Sequence, residues 1–101
     1  MKYDKLVRDK IPEIIGRTGK KATFRTLDEA EYKEYLEKKL DEEVAEFHES
    51  KSIEELADIY EVMDALCAVH SSYTRVRVEQ MNKYVERGSF KKRICLIEVE
   101  E

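Results

Sequence analysis

Residues 28–70 read DEAEYKEYLEKKLDEEVAEFHESKSIEELADIYEVMDALCAVH, and this stretch decides the fold. Asp28-Glu-Ala-Glu31 has the form of a capping box, in which the first and fourth side chains satisfy each other's backbone N–H groups. Behind it Tyr32, Leu36, Leu40, Val44 and Phe47 recur at helical spacing, which predicts a helix to about Glu49. Ser50-Lys-Ser52 interrupts that pattern. Ser52-x-x-Glu55 has capping-box form again, and a wide apolar arc predicts a further helix from Ile53 to about His70.

Four acids sit where such helices should carry apolar side chains. On a wheel of roughly 100° per residue, Glu43 falls between Tyr32 and Leu36, and Glu46 lies at the edge of the stripe. Glu42 is further out and Asp41 is fully polar. In the next helix Glu55 and Asp58 fall inside the apolar arc, flanked by Val62, Leu66 and Val69. Glu54, Glu61 and Asp64 share the narrow solvated strip. Each inward pair is spaced i, i+3, about 4.5 Å along the helix axis.

Two antiparallel helices joined by a short turn would bring these pairs face to face. An unpaired carboxylate is costly to bury, so a shared cation is the simplest partner. Four oxygen donors with no His or Cys among them suit a hard ion, Mg²⁺ or Mn²⁺ as its substitute. Blander readings of the same residues are a solvated acidic face and, for Glu55, a capping role with Ser52.

Outward from this core, residues 1–7 read as an extended lead-in. Asp9 is placed to cap a short helix carrying Pro12 in its first turn and ending at Thr18-Gly19. Ser71-Ser72 starts a fourth helix that stops near Arg87-Gly88, with Val78, Met81 and Val85 on its inner face. Residues 21–26 and 93–99 alternate like short strands, and pairing them would add a minor two-stranded ribbon. The expected fold is thus an all-α bundle of three to four helices in a single domain over residues 1–101. Its apolar arcs are too wide for one small chain to cover, so a homodimer at least is expected.

Composition agrees with amphipathic helices: 42% charged and 42% hydrophobic residues, with one Pro and three Gly in 101 residues. A net charge of −4 argues against a nucleic-acid partner. The absence of a long apolar run argues against a membrane partner, and Cys67 and Cys95 form no disulfide or zinc pattern. A cytoplasmic protein is expected.

The acidic residues carry a resemblance. Glu42-Glu43-Val-Ala-Glu46 followed by Glu55-Leu-Ala-Asp58 resembles the E-E-x-x-E and E-x-x-D motifs of the MazG-like all-α nucleoside triphosphate pyrophosphohydrolases, a superfamily that includes the phosphoribosyl-ATP pyrophosphohydrolases. YDKLVRDKIPEII near the start, ELADIYEVMDAL and ERGSFKKR further resemble a small phosphoribosyl-ATP-pyrophosphohydrolase-like subgroup. The eight residues between Glu46 and Glu55 are fewer than the family's usual gap. Glu61-Val-Met-Asp64 would restore the spacing but falls on the polar strip, so a shortened inter-helix loop is the better explanation.

The resemblance implies that Glu43, Glu46, Glu55 and Asp58 bind Mg²⁺. It gives Glu42 and Glu43 catalytic roles, Glu42 serving a second metal or orienting the attacking water. The implied reaction is hydrolysis of a nucleoside triphosphate, or a related nucleotide such as phosphoribosyl-ATP, between the α and β phosphates. Basic candidates for the phosphates are Lys83 and Arg87, i and i+4 on one helix face, and then Arg8; Tyr32 and Tyr35 are candidates for base stacking. Cys67 and His70 read as packing residues and His48 as a surface one. Two other function classes fit the residues: a nucleotide-binding regulatory module without turnover, and a structural helical dimerisation domain.

Overall fold

The helices form where local backbone chemistry favours them. We describe residues 2–100 in a computed structural model. They contain α1 (Ile11–Arg17), α2 (Glu29–Ser50), α3 (Ile53–His70) and α4 (Tyr73–Arg87), with no strand among the described residues. At the start of α2, Asp28 Oδ1 accepts from Glu31 N at 2.9 Å, and Glu31 Oε1 accepts from Asp28 N at 3.4 Å. This closes the reciprocal box and satisfies two otherwise orphaned donors. Ser72 accepts from Arg75 N at 3.1 Å to start α4, and Gly88 at φ 85 ends it.

The connection between α2 and α3 is only Lys51 and Ser52, with Lys51 in the left-handed region at φ 55. Two long helices joined by so short a link, and packed along one another, run antiparallel. Ser52 Oγ accepts from Glu55 N at 3.3 Å, but Ser52 N donates instead to Ser50 Oγ at 3.2 Å. The second capping box is therefore only half made. The Glu55 carboxylate is not used as a cap, which removes that explanation for its placement.

Three sequence expectations need correcting. Asp9 does not cap α1. Lys10 occupies the cap position without a side-chain bond, and Ile11 N donates to Arg8 O at 3.0 Å. The ribbon does not form either: no backbone hydrogen bond joins residues 21–26 to 93–99 among the described residues. A strand-like pattern has no ladder without a neighbour, and Arg93 turns away at φ 58 with its N–H on Phe90 O. His70 is exposed rather than packed, whereas Cys67 is buried as expected.

The core is thin. Leu36, Val62 and Cys67 are its buried apolar residues, and Glu43 is buried with them at 5% exposure. α4 lies mainly against α3 and buries no residue of its own, so Val78, Met81 and Val85 stand open. The surface totals 9535 Å² for 12.0 kDa, against roughly 6,000 Å² for a compact monomer of that mass. The radius of gyration is 18.2 Å, against about 13 Å for a compact domain of this length. No helix among the described residues is long and apolar enough to cross a membrane.

Candidate metal centre

The α2–α3 hairpin sets the acidic side chains opposite one another. One carboxylate oxygen each from Glu43, Glu55 and Asp58 lie within 4.8 Å of one another, and so do oxygens from Glu42, Glu43 and Glu46. Glu43 belongs to both groups. Burial follows the helix wheel: Glu43 is buried, Glu42, Glu55 and Asp58 are half-buried, and Asp41, Glu54, Glu61 and Asp64 are exposed. Glu46, at the edge of its stripe, is exposed too.

Cations from the same chain satisfy part of this charge. Lys39 Nζ lies 3.3 Å from Glu42 Oε2 and 3.3 Å from Glu43 Oε1. Lys5 reaches Glu42 Oε1 at 3.2 Å, while Arg8 donates to Asp58 Oδ1 at 2.7 Å and reaches Glu61 at 3.5 Å. Yet Glu43 Oε2 and Glu55 Oε2 are both shut off from solvent with no hydrogen-bond partner. A buried carboxylate oxygen left bare costs the desolvation of that group and gains nothing back. Two overlapping groups of three carboxylates, with two such orphaned atoms between them, make an all-oxygen donor set of the kind a hard divalent ion takes.

The strain shows in protonation. Desolvation, reinforced by Glu46 and Glu43, pushes the Glu55 carboxyl up to about 7. Burial also raises Glu43, with Glu46 adding to the effect and Lys39 opposing it. Glu42 goes the other way, because bonds from Lys5 and Lys39 outweigh its own desolvation. The Asp58 contact raises the Arg8 guanidinium.

A pH dependence follows. An unfolded glutamate titrates near 4.5 and folded Glu55 near 7, so the folded protein holds an extra proton across that window. The stability of the metal-free protein should therefore fall as pH rises through it. Melting in chelator at about pH 5 and pH 8 checks this, and Glu55→Gln should flatten the difference.

Beside the acids a cleft of about 420 Å³ opens between the lead-in and the hairpin. Glu43, Asp58, Lys39 and Arg8 line its polar end, and Tyr32, Leu36 and Val62 its apolar end. Tyr35 is outside it, donating to Asp4 Oδ1 at 2.8 Å and accepting from Arg25 at 3.4 Å. Of the basic residues singled out from sequence, Arg8 reaches the cleft. Lys83 and Arg87 do not line it, and no ion pair joins them to its acids among the described residues. Lys39 was missed as a site residue. Its signal was the i, i+3 and i, i+4 spacing to Glu42 and Glu43.

No family model matches the chain, and no solved structure matches it. The chain is similar to an uncharacterized protein of Mycolicibacterium smegmatis, at 56% identity over 41 residues. The matched stretch covers 41% of this chain and 42% of that protein.

Proposed function

We propose that this chain is a Mg²⁺-dependent nucleotide pyrophosphohydrolase that cleaves a nucleoside triphosphate, or a related nucleotide such as phosphoribosyl-ATP, between the α and β phosphates. The observation that carries the reading is Glu43, buried in a thin core with one carboxylate oxygen unpartnered, opposite half-buried Glu55, whose Oε2 is unpartnered too. The motif resemblance supplies the reaction class. A divalent ion between the helices would offset phosphate charge and acidify a water for in-line attack.

The chain's own residues would do the rest. Glu43, Glu46, Glu55 and Asp58 hold the ion. Glu42, kept ionised by Lys5 and Lys39, would serve a second metal or orient the attacking water. Arg8 lines the cleft beside Asp58 and would meet an incoming phosphate there. The apolar end with Tyr32 offers room for a base.

The test is a nucleotide panel with Mg²⁺ or Mn²⁺, read as pyrophosphate release, beside calorimetric titration of Mg²⁺ alone. Release with metal and none in chelator supports the enzyme. Metal and nucleotide binding without release would leave a regulatory module. The contacts of Lys39, Lys5 and Arg8 favour a second reading, a structural domain whose acids are met by its own cations. Absence of any Mg²⁺ heat would select it.

The reading includes a homodimer in the cytoplasm. The surface beyond that of a compact monomer, roughly 3,500 Å² on each chain, exceeds the roughly 1,000–2,500 Å² that each partner of an obligate interface contributes, so there is area enough for one. Residues 73–93 carry seven Lys and Arg against two Glu in a chain of net charge −4, so this arm suits the acidic face of a second copy. Lys83 and Arg87 could then serve only a neighbouring copy's phosphates. Sedimentation at micromolar concentration should give twice the 12.0 kDa chain mass. A single-chain mass would remove the dimer.

A further inference from the structure

We propose that Lys39 is a substrate-binding residue whose ammonium takes the phosphate chain of a metal-bridged nucleotide, a role that sequence spacing had suggested for Lys83 and Arg87. This rests on the pyrophosphohydrolase reading and adds to it a residue the resemblance did not supply. Three observations carry it.

The first is position. Lys39 lies on α2 one turn before Glu43 and lines the cleft beside the acids, and it also borders a smaller hollow with Lys5 and Glu42. The second is fixation. Its side chain is only 17% exposed, and Glu42 and Glu43 hold the ammonium at 3.3 Å each. A lysine held this way has already lost most of its rotamer freedom, so an arriving anion need not order it. The third is spare capacity. An ammonium has three donors and the two carboxylates engage two, leaving one for an oxygen in the cleft.

The other cations fit the role less well. Arg8 is committed to Asp58 at 2.7 Å and reaches Glu61 at 3.5 Å. Lys10 lines the cleft from the exposed cap of a short helix, with no carboxylate holding it among the described residues. Among the described residues Lys39 is the cation that lines the cleft and pairs with Glu43. With a divalent ion neutralising the carboxylates, Glu42 and Glu43 would hold the Lys39 ammonium less strongly, and it would be freer to bind an anion in the cleft.

The experiment measures binding of tripolyphosphate and of α,β-methylene-ATP, which cannot be cleaved between those phosphates, with Mg²⁺ present and with Mg²⁺ alone. Lys39→Met should weaken both polyanions roughly ten-fold, as for one charge-assisted hydrogen bond, with Mg²⁺ alone bound no more weakly than by wild type. Lys39→Arg should restore most of the loss. Lys38→Met, on the exposed pair with Glu34, should change nothing. Circular dichroism confirms that each variant folds, and Lys39→Arg keeps the test decisive if Lys39→Met does not.

Unchanged polyanion affinity in Lys39→Met overturns the role, as does a parallel, equal loss of Mg²⁺ affinity, which would make Lys39 only a support for Glu43. If wild type itself binds neither probe, the pyrophosphohydrolase reading fails first and takes the Lys39 role with it.

Discussion

Glu43→Gln should reduce metal-dependent pyrophosphate release by roughly 10²-fold or more, since even outer-shell partners of a metal ligand cost 10–100-fold. The side chain keeps its shape and loses its charge, so the effect isolates electrostatics from packing. Mg²⁺ affinity should fall in step, because Glu43 belongs to both carboxylate groups. Stability in chelator should not fall, because the variant removes a buried carboxylate whose proton affinity is already raised. Asp64→Asn, on the exposed strip, is the control and should match wild type. A Glu43→Gln protein turning over at the wild-type rate would end the metal-centre reading. Loss of activity in Asp64→Asn instead would move the site to the Glu61/Asp64 pair.

Leu36→Ala should be the most damaging core substitution. Leu36 is 2% exposed and one of three buried apolar residues among the described residues, so little neighbouring material can collapse into the space it leaves. Such truncations cost about 2–5 kcal/mol, a large part of the 5–15 kcal/mol that holds a typical domain. For a chain of this length that corresponds to a drop in melting temperature of about 10 °C or more. Val85→Ala, 79% exposed in the single chain, should cost far less in the monomer. If α4 is covered by a second copy, its effect will appear as a weaker dimer and a concentration-dependent melting curve. Equal, small losses in both variants would contradict the packing described above.

Much of the fold was legible because it is written in short-range chemistry. Asp28 with Glu31, Ser52, Ser72 and Gly88 each mark a helix end through bonds spanning three or four residues. Periodicity also separated Glu43 from Asp41, and Glu55 and Asp58 from Glu54, Glu61 and Asp64, because antiparallel packing buries one stripe of each helix.

What depends on distant partners was not legible. Arg8 meets Asp58 across fifty positions of sequence, and no local rule selects that pair. The alternation in residues 93–99 carries strand propensity but no information about a neighbour, so Ile94, Leu96 and Ile97 remain open. Lys83 and Arg87 share a helix face, yet that face does not reveal whether α4 folds back on the acids. Lys39 was within reach of the helical pairing rule. It was overlooked because a lysine at i, i+4 from a glutamate ordinarily decorates a surface.

The lead-in is tied to the hairpin through charge: Lys5 on Glu42, Arg8 on Asp58 and Glu61, and the Asp4–Tyr35 hydrogen bond. Such half-exposed contacts are screened over about 8 Å at physiological ionic strength, whereas the burial of Leu36 and Val62 involves no charge for salt to screen. Brine should thus loosen residues 4–8 while the hairpin stays shut. An ion settling on Asp58 would compete with the Arg8 guanidinium for the charge of that carboxylate, so filling this cleft and slackening its border are coupled.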